Sequence, residues 1–303
     1  MILHKNKDEF RNLIEDSFNY FGRKIPRFYI ERDYYITKKI KELTDQTTNI
    51  ALKGGIAMAK VYEKLPLRES KDIDFTAVDK SLQTLDQQKL NFDKNLAHVH
   101  CDPIKFQPLD GRKFNSGINI SVTYNPDSSD VQIVPIISLV GLFMQENELV
   151  DEMNKYELVS FNTKVECPER IFVDKICALC DVYIKSTDGF LKNGKQEFKR
   201  FDGATRHLVD VYVLTKNANF GITPTKFKDI QRKLSKQIPH SFVIKSDYDF
   251  KKKLLEIAKS PILKDDFDKN IKDTIFDNTF KNNFEELKQN LIDIANGPIF
   301  THK

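Results

Sequence analysis

Long apolar runs and tryptophan are absent from this chain, and cysteine is scarce. The lack of long apolar runs and the scarcity of cysteine limit the class of protein. No apolar stretch approaches the roughly 20 residues that a membrane-spanning helix needs. The 303 residues include four cysteines and no tryptophan, and so few cysteines do not make a disulfide framework. The opening residues, MILHKNKD, lack the apolar core of a secretory signal peptide. We therefore expect a cytoplasmic protein with no membrane partner.

Charge of one sign is also in little excess. Forty-eight basic residues against 44 acidic ones leave a net charge of +4, which permits nucleic-acid binding without favouring it, because the clustering of charge decides. Hydrophobic residues make up 40% and charged residues 30% of the chain, as in ordinary globular proteins. The length suits one large domain or two medium domains, each with its own core.

The periodicity of the apolar residues changes from mixed α/β to helical near residue 160. In the first part it predicts helices at 6–22, 32–43 and 56–63 and strands at 49–53 and 72–76. Two further runs, 118–124 and 131–139, flank an Asn-Pro-Asp turn signal and predict a hairpin. Later helices are predicted from Pro168, over 203–216 and along a stripe from Phe276 to Ile294 that Gly297-Pro298 ends, with a polar loop at 186–204.

Glycine is scarce, so the adjacent pair Gly54-Gly55, between an apolar run and a helical one, is informative. A strand, a Gly-Gly turn and a helix N-terminus direct backbone N–H groups toward an anion such as phosphate. Arg68 and Ser70 follow, and both offer donors for phosphate oxygens. These residues predict a phosphate site.

Asp72 and Asp74 lie two apart on the next predicted strand, so both side chains should leave the same face. Such carboxylates repel each other unless a cation lies between them, and Mg²⁺ binds one or two carboxylates together with waters and substrate phosphates. An Asp-x-Asp alone is more often a solvated strand end. Combined with the glycine pair, it predicts a metal site beside the phosphate site.

Three ordered blocks of the chain resemble one family: ERDYY at 31–35, LKGGIAMAK at 52–60 and RESKDIDF at 68–75. They are similar to the E-K-D-Y-W, F-K-G-G-T-x-L-x-K and R-F-S-E-D-I-D blocks of the AbiEii/AbiGii-type nucleotidyltransferases, which include toxins of abortive-infection and toxin–antitoxin systems. VDKICAL at 173–179 and RHLVDVY at 206–212 resemble the lysine motif and the R-D-x-x-D-x-Y motif of that family. The resemblance covers about residues 25–215.

The resemblance implies an α/β (α+β) fold with two domains. Residues 1–160 would form a polymerase-β-like nucleotidyltransferase domain with a mixed sheet, and residues 161–303 a C-terminal helical bundle. The substrate would be an NTP, and RNA, including the 3′ end of tRNA, would be the acceptor. A cognate antitoxin is the implied partner.

The resemblance also implies roles for individual residues. Mg²⁺, with Mn²⁺ as the alternative, would be held by Asp72 and Asp74. The catalytic set would add Lys175 and Asp210, entering the cleft from the helical domain. The nucleotide would be bound by Lys53, Gly54, Gly55, Arg68 and Ser70.

The chain departs from the family pattern at three places. Ile56 replaces the usual Thr or Ser after Gly-Gly, and His207 replaces an aspartate. Polymerase-β-like folds add a third carboxylate on a later strand, but residues 118–121 offer none, and Asp130 fits only in a different register. Two alternatives therefore stay open: a small-molecule, antibiotic-type nucleotidyltransferase and a catalytically degenerate nucleotide-binding protein.

Two candidate site residues have structural alternatives. Lys175 lies close to the apolar stripe of its helix, which indicates an anionic partner or a side chain that reaches out to water at the edge of the stripe. Arg206 and Asp210, four apart, could form a surface pair.

Three other groups carry little chemistry. Cys177 and Cys180 suit core packing, and His98, His100 and Cys101 lack further metal ligands at a recognisable spacing. The lysine-rich segments 226–236 and 251–253 are typical of solvated helix faces, with an RNA backbone contact as the alternative.

Overall fold

The structure is a computed structural model that divides into two compact units. The first comprises Met1–Tyr124 and Val131–Glu166, and the second Asn125–Asp130 and Cys167–Lys303. The main division thus lies between Glu166 and Cys167, whereas the sequence placed it near 160. The residues described are 7–46, 49–63, 66–70, 72–78, 120–124, 130–155, 160–192, 195–216, 220–237 and 249–300.

A mixed five-stranded sheet of order β3-β2-β1-β5-β4 lies in the described part of the first unit. The strands are β1 Ile50–Lys53, β2 Ile73–Ala77, β3 Ile120–Tyr124, β4 Val131–Ile136 and β5 Phe161–Glu166. Strand β1 is antiparallel to β2 and parallel to β5, while β2 is parallel to β3 and β4 is antiparallel to β5. The predicted mixed sheet is confirmed.

The predicted hairpin between β3 and β4 is wrong. Both strands exist, but β3 pairs with β2 and β4 pairs with β5, so they are the two opposite edges of the sheet. Alternation of apolar residues specifies a strand and its buried face, whereas the partner depends on tertiary packing. The Asn-Pro-Asp turn signal lies outside the described residues.

Three helices of the first unit correspond to predicted ones: α1 Lys7–Tyr20, α2 Arg27–Gln46, which begins five residues before the predicted start, and α3 Gly54–Ala57. The other two, α4 Leu139–Glu146 and α5 Val150–Lys155, were not predicted. A π-helical turn, Met58–Tyr62, continues α3. The predicted apolar face of α1, including Phe10 and Ile14, is buried, and α1 packs against α2 and α4.

The described part of the second unit is mainly helical. Its α-helices are α6 Pro168–Thr187, α7 Thr205–Lys216, α8 Pro224–Gln237, α9 Phe250–Lys259, α10 Pro261–Asp266, α11 Asn278–Lys281 and α12 Phe284–Asn296. Helix α6 packs against α7, α8 and α9. No helix among the described residues of either unit is long and apolar enough to cross a bilayer.

Two predictions for the second unit need correction. The predicted polar loop at 186–204 contains an antiparallel pair of three-residue strands, β6 Phe190–Lys192 and β7 Lys195–Glu197, which are too short to give a periodic signal. The last helix begins at Phe284, not near Phe276, because Asn283 has a non-helical backbone (φ −107°, ψ 40°). Phe280 is buried all the same, on the separate short helix α11.

Candidate active site

The first glycine of the pair turns the chain out of β1. Lys53 is extended, whereas Gly54 has φ +68°, in the left-handed region that favours glycine. A Cβ atom on Gly54 would lie 3.0 Å from Oδ2 of Asp74. The antiparallel register explains this approach, since Lys53 lies opposite Asp74. The glycine turn and one predicted metal ligand are therefore adjacent.

The second glycine leaves space for two donor side chains. A Cβ atom on Gly55 would lie 2.9 Å from Nη2 of Arg68 and 3.0 Å from Oγ of Ser70. Both of those side chains are buried, and Arg68 donates through Nη1 to the carbonyl oxygen of Glu69 at 2.8 Å. Any other residue at position 55 would displace them. The predicted phosphate-binding residues thus meet at the end of β1.

The two predicted carboxylates have different environments. Asp74 is half-buried on β2, but β2 begins at Ile73, so Asp72 precedes the strand and is exposed. The prediction that both lie on one strand is therefore wrong, because the strand starts one residue later. Ser121 on β3 lies opposite Asp74 and donates its hydroxyl to Oδ1 of Asp74. Strand β3 thus presents a hydroxyl, not a carboxylate, beside Asp74.

The carboxylates at this place suit a divalent cation whose other ligands are phosphates and waters. Among the described residues no group of three or more His, Cys, Asp or Glu side chains is arranged to hold a metal ion. Mg²⁺ needs only one or two carboxylates when phosphates and waters complete its shell. Asp74, with Asp72 two residues before it, meets that smaller requirement beside the predicted phosphate-binding residues.

Asp130, the alternative third carboxylate, is engaged elsewhere. It is buried in the second unit and accepts from Nζ of Lys226 at 2.8 Å and Nζ of Lys233 at 3.1 Å. The hydrogen bond to Asp130 raises the pKa of Lys226. The prediction of a purely solvated face for residues 226–236 is thus wrong at these two lysines, because each has a buried anionic partner.

Two ion pairs join the three motif blocks of the first unit. Lys60, from the glycine block, contacts Oδ1 of Asp33 at 2.5 Å, and both side chains are 3% exposed. Oδ2 of Asp33 accepts the N–H of Leu139 at 2.7 Å, at the start of α4. Arg32 donates to Glu69 at 2.6 Å, next to Arg68. These pairs fix the segments that carry the predicted phosphate-binding residues.

Sequence reasoning quoted Asp33 and Lys60 within motifs but gave them no role. Burial lowers the pKa of Lys60, against the opposing effect of the Asp33 charge. The available signal was a pair of opposite charges in two motif blocks, each next to apolar residues. That signal alone does not say which charge meets which.

Lys175 and Asp210 form a buried pair in the second unit. Nζ of Lys175 lies 2.9 Å from Oδ2 of Asp210, and their side chains are 7% and 1% exposed. The predicted anionic partner of Lys175 is therefore Asp210, supplied by α7 to α6. Asp266 fixes the start of α7, since its carboxylate accepts from the backbone N–H groups of Gly203 and Thr205 at 2.6 and 2.8 Å. Sequence reasoning missed Asp266, which lies far along the chain from α7.

The two cysteines of α6 are core residues, as predicted. Cys177 and Cys180 are free thiols and buried. Burial raises the pKa of both thiols. His98, His100 and Cys101 lie outside the described residues.

Comparison with known proteins agrees with the motifs. A family model described as nucleotidyl transferase AbiEii toxin, type IV TA system, matches residues 42–295. A search of curated proteins gave no match. Because the family match spans well over half of the 303 residues, the chain belongs to the AbiEii nucleotidyl transferase toxins of type IV toxin–antitoxin systems.

Proposed function

We propose that this protein transfers a nucleoside monophosphate from an NTP to an acceptor hydroxyl in a Mg²⁺-dependent reaction. The acceptor is RNA, including tRNA, the setting is the cytoplasm, and a cognate antitoxin restrains the activity. The main support is the meeting of Gly54, Gly55 and Asp74 at the end of β1. Phosphate donors and a carboxylate within one small region are what a bound metal–triphosphate requires.

Residues of the first unit bind the nucleotide in this proposal. The backbone of Lys53, Gly54 and Gly55 approaches the triphosphate, and Arg68 and Ser70 donate to its oxygens. Asp72 and Asp74 hold Mg²⁺, or Mn²⁺ in its place. When bound, the metal neutralises phosphate charge and favours the ionised acceptor hydroxyl.

The chemical step is an in-line displacement. The acceptor oxygen forms a bond to the α-phosphorus, the bond from that phosphorus to the bridging oxygen breaks, and pyrophosphate leaves with the electron pair. The hydroxyl proton passes to solvent. The protein contributes mainly position and charge, as in other phosphoryl transfers.

Lys175 and Asp210 complete the proposed catalytic set. A buried ammonium group held by a carboxylate is ordered before substrate binds, which suits the neutralisation of phosphate charge. We assign that role to Lys175 and assign its orientation to Asp210. Replacing Lys175 with Met should lower kcat about 100-fold or more, the loss typical for one charge-stabilising group.

The test is nucleotide transfer to RNA. Purified protein and Mg²⁺ are incubated with each NTP labelled at the α-phosphate and with total RNA, which is then resolved on a gel. Asp74→Asn is the test variant, and Asp45→Asn, an exposed carboxylate on α2, is the matched control. Label on a discrete RNA band, kept in the control and lost in the test variant, is the expected result.

Other outcomes would replace this proposal. Label on a small molecule would identify an antibiotic-type nucleotidyltransferase. NTP binding, seen as a thermal shift, without transfer to RNA or to a small molecule would identify a degenerate nucleotide-binding protein. Ser121 beside Asp74, in place of a carboxylate, is the feature that favours this last alternative.

A further inference from the structure

The short hairpin after α6 is held firmly at its base. The N–H of Lys199 donates to the carbonyl oxygen of Lys185 at 2.9 Å, and Nε2 of Gln196 donates to that of Asp188 at 2.9 Å. Gly189 has φ +73°, and a Cβ atom there would lie 2.9 Å from the carbonyl oxygen of Glu197. The hairpin therefore has a defined position at the C-terminal end of α6.

This fixed element presents apolar side chains to water. Leu191 is 76% exposed and Phe198 is 62% exposed. Leu191 lies opposite Gln196 in the strand pair, and Phe198 directly follows the end of β7 at Glu197. Single exposed apolar residues are ordinary, but two on one short anchored element indicate a contact surface.

The same element carries a local excess of positive charge. Residues 190–192 and 195–200, called here the basic hairpin, contain four cations, Lys192, Lys195, Lys199 and Arg200, against one acid, Glu197. Lys192 lies 3.7 Å from Glu197, and both are exposed. The ion pairs found among the described residues do not include the other three cations.

The basic hairpin differs in this respect from the lysine-rich helix α8. Lys226 and Lys233 of α8 turn their ammonium groups toward the buried Asp130, so their charge is partly used within the protein. The cations of the basic hairpin remain directed to solvent. An exposed aromatic ring among such cations suits a nucleic acid, because unpaired bases stack on aromatic faces while phosphates contact lysine and arginine.

We propose that the basic hairpin is a contact surface for RNA. Phe198 stacks on an unpaired base, and Lys195, Lys199 and Arg200 contact the adjacent phosphates. The identity of this RNA as the acceptor rests on the proposed function. Lys175 and the end of α6 at Thr187 are about 18 Å apart along the helix axis, at 1.5 Å per residue. The contact therefore acts on the affinity for RNA and not on the chemical step at Lys175.

Direct RNA binding tests the proposal. The probe is fluorescently labelled bulk tRNA, followed by anisotropy without NTP over a series of salt concentrations. Phe198→Ser should weaken binding about 10-fold, the usual loss for one base-stacking contact. The triple variant K195Q/K199Q/R200Q should lower the slope of log Kd against log salt by about 2 to 3, because each of the three lost phosphate contacts removes about 0.7 to 0.9.

Matched variants separate this surface from general charge. R11Q/K24Q/K269Q removes three exposed cations outside the basic hairpin and outside the lysine-rich segments, with the same change in net charge. Ile133→Ser replaces a side chain on β4 that is 68% exposed. Both controls should keep the wild-type affinity and salt slope. Equal loss in the two triple variants, or no loss from Phe198→Ser together with no loss from K195Q/K199Q/R200Q, overturns the proposal.

The transfer assay distinguishes this proposal from the proposed function. If no NTP is transferred but the hairpin variants bind tRNA more weakly than wild type, the proposed reaction fails and the RNA contact stands. If transfer to RNA occurs and the hairpin variants match wild type in KM and in binding, the RNA contact fails alone. When both stand, the variants should raise KM for RNA and leave kcat unchanged.

Discussion

Removal of the Asp33 charge should destabilise the first unit in a way that depends on pH. Asp33→Asn leaves Lys60 buried beside the carbonyl oxygen of Ile137, its other contact at 3.2 Å. An unpaired ammonium group in this position either stays charged, at a high desolvation cost, or loses its proton. The free energy of deprotonation sets an upper limit to the cost of leaving Lys60 unpaired.

That limit follows from the pKa of lysine. Its ordinary value is 10.5, so keeping Lys60 neutral costs about 5 kcal/mol at pH 7 and about 2 kcal/mol at pH 9, at about 1.4 kcal/mol per unit. Burial lowers the folded pKa of Lys60 even with Asp33 present, and removal of the Asp33 charge lowers it further, so the unfolded variant binds more protons than the folded one. The stability of the variant should therefore rise with pH between these two pKa values.

Chemical unfolding followed by circular dichroism at pH 7 and pH 9 measures this effect. The control is Asp45→Asn, which breaks the exposed Lys41–Asp45 pair of the same helix at 2.7 Å, and should cost less than about 1 kcal/mol at either pH. Asp33→Asn combined with Lys60→Met should cost less than the two single changes added together. A loss from Asp33→Asn that matches the control, or that is equal at both pH values, would refute the reasoning.

Three further predictions concern other sites. Gly55→Ala should weaken NTP binding at least about 10-fold by displacing the donors beside it, whereas Gly221→Ala, where an added Cβ meets nothing within 4 Å, should not; calorimetric titration with NTP decides. Cys177 and Cys180 should resist alkylation in the native protein and react after unfolding, because burial raises the pKa of both thiols; native labelling of either, seen by peptide mass mapping, would contradict this. Burial, with the hydrogen bond to Glu286, raises the pKa of Tyr212 to about 12. The stabilisation from that hydrogen bond should therefore be complete below pH 10 and be lost as the pH rises through about 12. In an absorbance titration, the Tyr212→Phe variant should lack one late-ionising tyrosine that the wild type shows.

Local signals in the sequence were sufficient to predict the glycine turn at Gly54 and the inward position of Lys175. Gly54 could be identified because few residues accept its backbone conformation, and its position after an apolar run placed it at the end of a strand. The inward position of Lys175 followed from helical periodicity, since its neighbours on the stripe are buried. Both inferences use contacts within a few residues along the chain.

The remainder depends on contacts between distant segments. The opposite edges taken by β3 and β4 follow from which strands cover each other, and the alternation within each strand does not encode that choice. The sequence left Asp130 open as a metal ligand. Its lysine partners lie 96 and 103 residues later in the chain, and no local pattern reveals them. The start of β2 at Ile73, which separates Asp72 from Asp74, is a boundary of the kind that hydrogen bonding sets more than residue type.

The early position of Asp130 in the chain has a consequence for the synthesis of this toxin. At about 5 to 20 residues per second, a ribosome needs roughly 5 to 20 seconds to add Lys226 after Asp130 has been made. During that time the nascent chain contains its glycine turn and Asp74, but a carboxylate destined for burial lacks two of its cations. We expect chains cut short before Lys226 to be degraded in preference to folding. The folded second unit would then appear only after its later helices, including α8, have been translated.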